Sequence, residues 1–186
     1  MSSEHDKLQQ WLETASEYSI PDWSELPSIP LYMDQIIIFT GETLKLFERD
    51  EKQSLLTSSM INNYVKNGLV EHPVHKKYTK EHLSKLIMTG LLKQVLSIQD
   101  ISVLFSGDEN AEALYGDFAA AQDAALQQTV AELHGEPDEK TLRATALRLA
   151  AEANARRAVS ERILMALSEK NNEEETKPKK KHKEKE

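Results

Sequence analysis

Four polar side chains recur at helical spacing within the segment SSMINNYVKN. Ser59, Asn62, Asn63 and Lys66, here called the polar stripe, would share one face of a helix. Asparagine amides can pair with an adenine edge, and lysine and hydroxyl groups suit phosphate oxygens. Ser58 would lie near the positive helix N-terminus, which favours an anion. These residues predict contact with nucleic acid; the alternative is a solvated face, which would more often carry Glu and Lys.

A basic stretch follows this helix after a connector of a few residues. It consists of His75, Lys76, Lys77 and Tyr78, with Lys80 two residues further on. Lys80 would fall in the first turn of the next helix, where a cation opposes the helix dipole. It is therefore either a phosphate contact or a solvated lysine tolerated at small cost. The residues predicted to bind DNA are Ser58, the polar stripe, Lys76, Lys77, Tyr78 and Lys80.

The charge of the chain is unevenly distributed. The net charge is −8, yet residues 57–93 carry six lysines against two glutamates, a net of +4, which leaves −12 for the rest. A basic island in an acidic chain favours a local anionic partner over general coating of nucleic acid. Chance composition of a short window is the other explanation.

The remaining composition narrows the function class. The 186 residues contain no cysteine, which excludes disulfides and thiolate chemistry and fits a reducing cytosol. The N-terminus is polar and acidic, unlike a signal peptide, and no apolar run could span a bilayer. We expect a soluble, cytoplasmic protein with no membrane partner. Catalytic and nucleotide-binding motifs are missing and His72 with His75 is a weak metal pair, so we expect no enzyme, no cofactor and no identifiable small-molecule effector.

Helices must position the polar residues, and two are predicted in the N-terminal part of the chain. Residues 4–18 predict an amphipathic helix. Residues 33–48 predict a second helix, although 36–39 could instead form a strand. The connector between them contains three prolines, and its apolar side chains are expected to pack on the main domain: Trp23, Leu26 and Ile29.

Three helices with defined ends follow. Thr57 and Thr79 can cap the first two, and Ser97 with Asp100 resembles a capping box for the third. The first ends at Gly68, a good residue for a helix C-terminus. The connector between the first and second is either a short β-hairpin or an extended loop.

The C-terminal part is alanine-rich and predicts two long helices. Residues 109–134 and 138–169 would form an αα-hairpin. The first carries apolar side chains at steps of four and three: Leu114, Phe118, Ala121 and Ala125. The second carries a heptad-like seam, suited either to dimerisation or to packing in cis: Leu142, Ala146, Leu149, Ala153, Arg156, Ser160, Ile163 and Leu167. Residues 170–186 are highly charged and are expected to be disordered.

The order of these pieces resembles the DNA-binding domain of the MerR family of bacterial transcription regulators. That family has a recognition helix running into Tyr-x-x-x-Gly-Leu, a wing ending in basic-x-Tyr-Ser/Thr, and two further helices. The matching residues are Tyr64, Gly68 and Leu69, then Lys76 to Thr79, then His82, Leu83 and Leu86, and finally Ser97, Ile98, Asp100 and Ile101. More closely, the stretch from Leu31 to Phe105 resembles a domain family of unknown function from Gram-positive bacteria, itself usually described as MerR-like.

The resemblance implies a mostly α fold, with a MerR-like winged helix-turn-helix domain followed by a long αα-hairpin and a disordered tail. The expected segments are 1–30 (helix and connector), 31–107 (helix-turn-helix domain), 108–169 (helical hairpin) and 170–186 (tail). It further implies a homodimeric regulator of transcription that binds double-stranded DNA, with helix 58–67 in the major groove and a basic wing at 75–80. Asn62 and Asn63 stand where the family usually has Arg-Tyr. The alternative is therefore a protein–protein interaction module that kept the fold without DNA binding.

Overall fold

The computed structural model describes residues 4–49, 54–107, 110–133 and 138–176, and this part of the chain is mostly helical, as predicted. Its α-helices are α1 (Glu4–Glu17), α2 (Met33–Leu44), α3 (Ser58–Lys66), α4 (Lys80–Leu92), α5 (Ile98–Phe105), α6 (Ala111–Ala131) and α7 (Glu139–Thr176). Two 3₁₀ turns occupy Trp23–Glu25 and Lys45–Phe47. Within the described ranges, β pairing is limited to two isolated bridges.

The predicted second helix is α2 with its 3₁₀ extension, and the alternative strand over 36–39 is wrong. Ile36, Thr40, Thr43 and Leu44 are the buried residues of α2. Their spacing matches one face of a helix and not the alternation of a strand. The burial of that face against α4 decides the conformation of the β-branched run.

The predicted caps are present at α3 and α5. The Met60 amide donates to the Thr57 hydroxyl oxygen at 3.3 Å, and Gly68 closes α3 with a φ of +74°. In the box before α5, the Ser97 amide donates to the Asp100 carboxylate at 3.3 Å, and the Asp100 amide donates to the Ser97 hydroxyl at 3.1 Å. Both helix starts thus follow from local sequence.

The core is centred on α4, which is buried along most of its length. One cluster of buried side chains joins α4 to the helices around it and extends to Tyr115 in α6 and Leu164 in α7. Gly90 allows α2 to approach α4, because a Cβ there would lie 2.6 Å from the Leu44 Cδ1 atom. The glycine that weakens α4 as a helix is thus accounted for by packing.

The N-terminal segment is held against α6 by hydrogen bonds. The Ile20 amide donates to the Asp123 carboxylate at 3.0 Å, and the Tyr115 hydroxyl donates to the Pro21 carbonyl at 2.9 Å. Of the predicted connector contacts, Leu26 is buried and Trp23 partly buried, but Ile29 is 69% exposed. The prediction for Ile29 is wrong because the connector buries Leu31 instead, through its pairing with the residues after α3.

The predicted packing faces of α6 and α7 need correction. In α6 the buried residues are Tyr115 and Ala119, whereas Ala121 and Ala125 of the predicted face are exposed, because α6 packs on both α1 and α4. In α7 the buried residue is Leu164, which packs in cis towards α5 and lies outside the predicted seam.

The seam itself is largely exposed, including Ile163 at 56% and Leu167 at 45%. An ion pair joins Arg148 of α7 to Glu132, the residue directly after α6. The helix continues to Thr176, beyond residue 170, where the predicted tail begins. Residues 177–186 of the predicted tail and residues 134–137, which link the two long helices, lie outside the described residues. No helix in the described ranges is long and apolar enough to cross a membrane.

Candidate nucleic-acid interface

Helix α3 has the two faces that the sequence predicts. Ile61, Tyr64 and Val65 are buried in the core. Ser58 and every member of the polar stripe are exposed. The packing of one face fixes the helix on the domain, and the opposite face presents its polar groups to solvent.

The polar stripe lines an open cleft on the surface of α3. Met60 joins the four stripe residues in this lining, and the cleft has a volume of about 430 Å³. The Asn67 side-chain amide donates to the Asn63 carbonyl oxygen at 3.2 Å, which restrains the Asn63 amide plane. That oxygen keeps a second lone pair and the amide nitrogen of Asn63 keeps its two donors, so the group can still make a bidentate contact.

The N-terminus of α3 is anchored by a lysine whose role the sequence did not reveal. The Lys93 ammonium donates to the Leu55 carbonyl and lies 3.7 Å from the Met60 sulfur. Burial lowers the pKa of Lys93. Lys93, although part of the basic island, therefore fixes the segment directly before α3.

The segment between α3 and α4 makes a very short β-hairpin, which decides between the two predicted alternatives. Val74 and Lys77 form an isolated antiparallel bridge, and the Lys77 amide donates to the Val74 carbonyl at 3.0 Å. His75 and Lys76, at the tip, have φ values of 52° and 62°. Two consecutive residues with positive φ are characteristic of a type I′ turn, in which Asn and Gly are the usual residues. The exposed tip thus projects Lys76 into solvent at a cost in backbone strain.

Tyr78 is placed in the core and away from the surface. Its exposed fraction is 4%, its ring lies edge-on to His82 with centroids 5.7 Å apart, and burial raises its pKa. Two backbone hydrogen bonds of 2.8 Å pair it with Leu31. The tyrosine predicted to bind DNA fixes the base of the hairpin instead of presenting its ring to a ligand.

Lys80 also has a partner that neither predicted alternative included. Its ammonium donates to the Trp23 carbonyl at 2.7 Å and lies 5.3 Å from the centre of the Trp23 ring. This contact, here called the Lys80–Trp23 clamp, ties the first turn of α4 to the connector. This contact explains why a lysine occupies the first turn of α4, and a phosphate contact is not needed to account for it.

Fewer lysines of the basic island, residues 57–93, are exposed than the sequence suggests. Lys85 pairs with Glu71 at 2.5 Å and lies over the Phe105 ring. Lys77 is half-buried with its ammonium 5.1 Å from the centre of the Tyr32 ring. Of the lysines in this region, Lys66 and Lys76 are exposed. Within the described residues, no group of three His, Asp or Glu side chains could hold a metal ion.

A match to a protein-family model covers most of this interface. Residues 21–118 match the family model described as Domain of unknown function (DUF1836). The chain belongs to this family. The DUF1836 match includes the connector, α2 to α5, the hairpin and the start of α6, and it agrees with the predicted likeness to a domain of unknown function. No curated protein and no solved structure matches the chain.

Proposed function

We propose that this DUF1836 protein is a cytoplasmic, non-enzymatic, MerR-like regulator of transcription that binds double-stranded DNA. The observation that carries the proposal is the exposed polar stripe on α3, opposite a face anchored in the core. A surface helix with an amide-rich, lysine-ended face has the size and chemistry to enter a major groove.

In this mechanism the two parts of the interface have different tasks. Asn62 and Asn63 contact base edges, with adenine as the base that suits an amide best. Ser58, Ser59 and Lys66 hold phosphates and fix the orientation of the helix. The exposed hairpin tip grips the flanking backbone and adds affinity that is independent of sequence.

A second copy of the chain is the proposed protein partner. Val159, Ile163 and Leu167 recur every four residues on α7 and are all exposed, which suits a helix–helix contact between two protomers. A two-fold dimer would bind half-sites about one helical turn apart, roughly 34–36 Å. Size-exclusion chromatography with light scattering should give the mass of a dimer for the wild type, and Ile163→Glu should shift it towards the monomer. A monomeric wild type would refute this part.

The test of DNA binding is a gel shift with the protein's own upstream region at two salt concentrations. The wild type should bind more weakly at the higher salt. Lys76→Ala with Lys77→Ala should weaken binding on every sequence and flatten the salt dependence, because these lysines contact phosphates. Asn63→Ala should change the motif recovered from random DNA. An unaltered motif would remove Asn63 from base reading, and no binding at either salt would refute the function.

A protein–protein interaction module is the second candidate, favoured by one observation. The chain outside residues 57–93 carries a net charge of −12, which repels DNA over most of the protein. In this case the polar stripe docks a protein, and a pull-down recovers a stable partner that nuclease treatment does not release. Asn63→Ala should then weaken capture of that partner without any effect of DNA.

A further inference from the structure

The backbone pairing around the hairpin gives its residues a definite register. Leu31 and Tyr78 are paired by two hydrogen bonds in an antiparallel bridge. In an antiparallel pair the next residues, Tyr32 and Lys77, then lie directly opposite each other. Val74 is bridged to Lys77 on its other side. Tyr32, Lys77 and Val74 therefore form one row across three short extended segments.

This row lies on the outer face of the pairing. Side chains alternate between the faces, and the inward pair, Leu31 and Tyr78, is buried at 9% and 4% exposure. Tyr32 is 50% exposed and Val74 66% exposed. Lys77 lies between them, and its ammonium is 5.1 Å from the centre of the Tyr32 ring. The three residues, here called the hairpin surface, combine two exposed apolar groups with a cation.

We propose that the hairpin surface extends the contact of the hairpin tip with the sugar–phosphate backbone of DNA. This inference rests on the proposed function and adds Tyr32 and Val74 to the interface. The Tyr32 ring and the Val74 methyl groups would cover deoxyribose, while Lys77, oriented by the ring, would meet the adjoining phosphate. Apolar and cationic groups in one row match a polymer that alternates sugars with anions.

The charge of the neighbouring tip favours a polyanion at this surface. Lys76 is exposed at the tip of the hairpin, directly before Lys77. Two acidic residues near the hairpin in sequence have partners of their own: Glu71 pairs with Lys85, and Glu81 accepts a hydrogen bond from the Thr79 hydroxyl. Among the described residues Lys77 forms no ion pair, and its ammonium lies over the Tyr32 ring.

The test compares variants of the full chain on two duplexes, its own upstream region and a scrambled duplex of equal composition. Tyr32→Ala and Val74→Ala should each weaken binding roughly two- to fivefold, because each removes one exposed apolar group from the proposed contact with deoxyribose. The loss should be equal on both duplexes, because backbone contacts carry no sequence information. Tyr32→Phe keeps the ring and should bind like the wild type. Leu147→Ala removes an apolar group that is 73% exposed on α7 and is the control.

A direct readout comes from NMR, in which the Tyr32 ring protons and Val74 methyl signals should shift when duplex is added. Duplex affinity unchanged in both alanine variants, with Lys76→Ala still weakened, would overturn the hairpin surface and leave the proposed function standing. A wild type that binds neither duplex would refute the proposed function and the DNA contact together. Capture of a protein that depends on Tyr32, with no response to DNA, would also overturn the inference.

Discussion

Replacing Lys80 with methionine should destabilise the protein without changing the salt dependence of the proposed DNA binding. The substitution keeps an unbranched side chain of similar length and removes the ammonium from the Lys80–Trp23 clamp. The hydrogen bond to the Trp23 carbonyl spans 57 positions of sequence, so its loss releases the connector from α4. The hairpin base, immediately before Lys80, loses a support with it.

The expected size of the effect follows from three contributions. A hydrogen bond from a charged donor stabilises by about 1.5–3 kcal/mol, with the lower end appropriate to a half-exposed lysine. The contact with the indole adds about 0.5–1 kcal/mol. Removing a cation from the first turn of α4 returns about 0.3–1 kcal/mol. The balance is a loss of about 1.5 kcal/mol, or roughly 3–6 °C in the melting temperature of a chain of this size.

Urea unfolding followed by circular dichroism measures this loss as a lower midpoint with an unchanged slope. Lys76→Met is the matched control, because Lys76 is exposed at the hairpin tip and should change stability by less than about 0.5 kcal/mol. In the binding assay, a lysine on phosphate would reduce the salt slope by about 0.9. Equal midpoints for the two variants, together with a flatter salt slope for Lys80→Met, would refute the clamp and restore Lys80 as a phosphate contact.

Three further tests of local stability use urea or thermal unfolding. Gly116→Ala should stabilise by about 0.5–1 kcal/mol through helix propensity, since nothing lies within 4 Å of the new Cβ, whereas Gly90→Ala should lose that gain to its contact with Leu44. Equal effects at the two sites would contradict the close approach of α2. Lys76→Gly should stabilise by roughly 1 kcal/mol by relieving a positive φ, and Lys77→Gly, outside the tip, should not. Burial and the nearby Asp123 raise the pKa of Tyr18 to about 12, so its contribution to stability should be complete below its ordinary pKa of 10 and lost as the pH rises to about 12. Tyr18→Phe should abolish that part of the pH dependence, and an identical profile would refute it.

Sequence reasoning succeeded where the cause of a structure lies within a few residues. The two faces of α3, the Thr57 cap and the Ser97–Asp100 box all depend on partners at most seven positions apart. They were predicted because helix geometry converts spacing into a shared face. The MerR-like likeness and the role of the polar stripe stay predictions, since spatial arrangement alone does not identify a ligand.

Reasoning from sequence failed for side chains whose partners are distant along the chain. Lys93 binds a carbonyl 38 residues away, and Lys80 one that is 57 residues away. Local sequence patterns predict that both lysines are exposed surface charges, because the residues near them in sequence do not indicate the distant carbonyl acceptor. Tyr78 belongs to the same class, since only its pairing with Leu31 turns it inward. The one available signal was Lys80 in the first turn of α4, where a cation is unfavourable without a partner.

The number of lysines left for phosphate contact predicts how steeply the proposed DNA binding should depend on salt. With Lys80, Lys85 and Lys93 engaged inside the protein, Lys66, Lys76 and Lys77 are left as the proposed phosphate contacts of the described interface. Three contacts correspond to about 2.7 in the slope of log affinity against log salt for each protomer, at about 0.9 per phosphate. Replacing these three lysines with alanine should therefore lower the slope by that amount, and by twice as much in a dimer. The difference between the wild type and the triple variant cancels contributions from residues outside the interface. A difference below one contact would mean that the phosphates are held elsewhere, and the α3 face and hairpin would then be excluded as the binding surface.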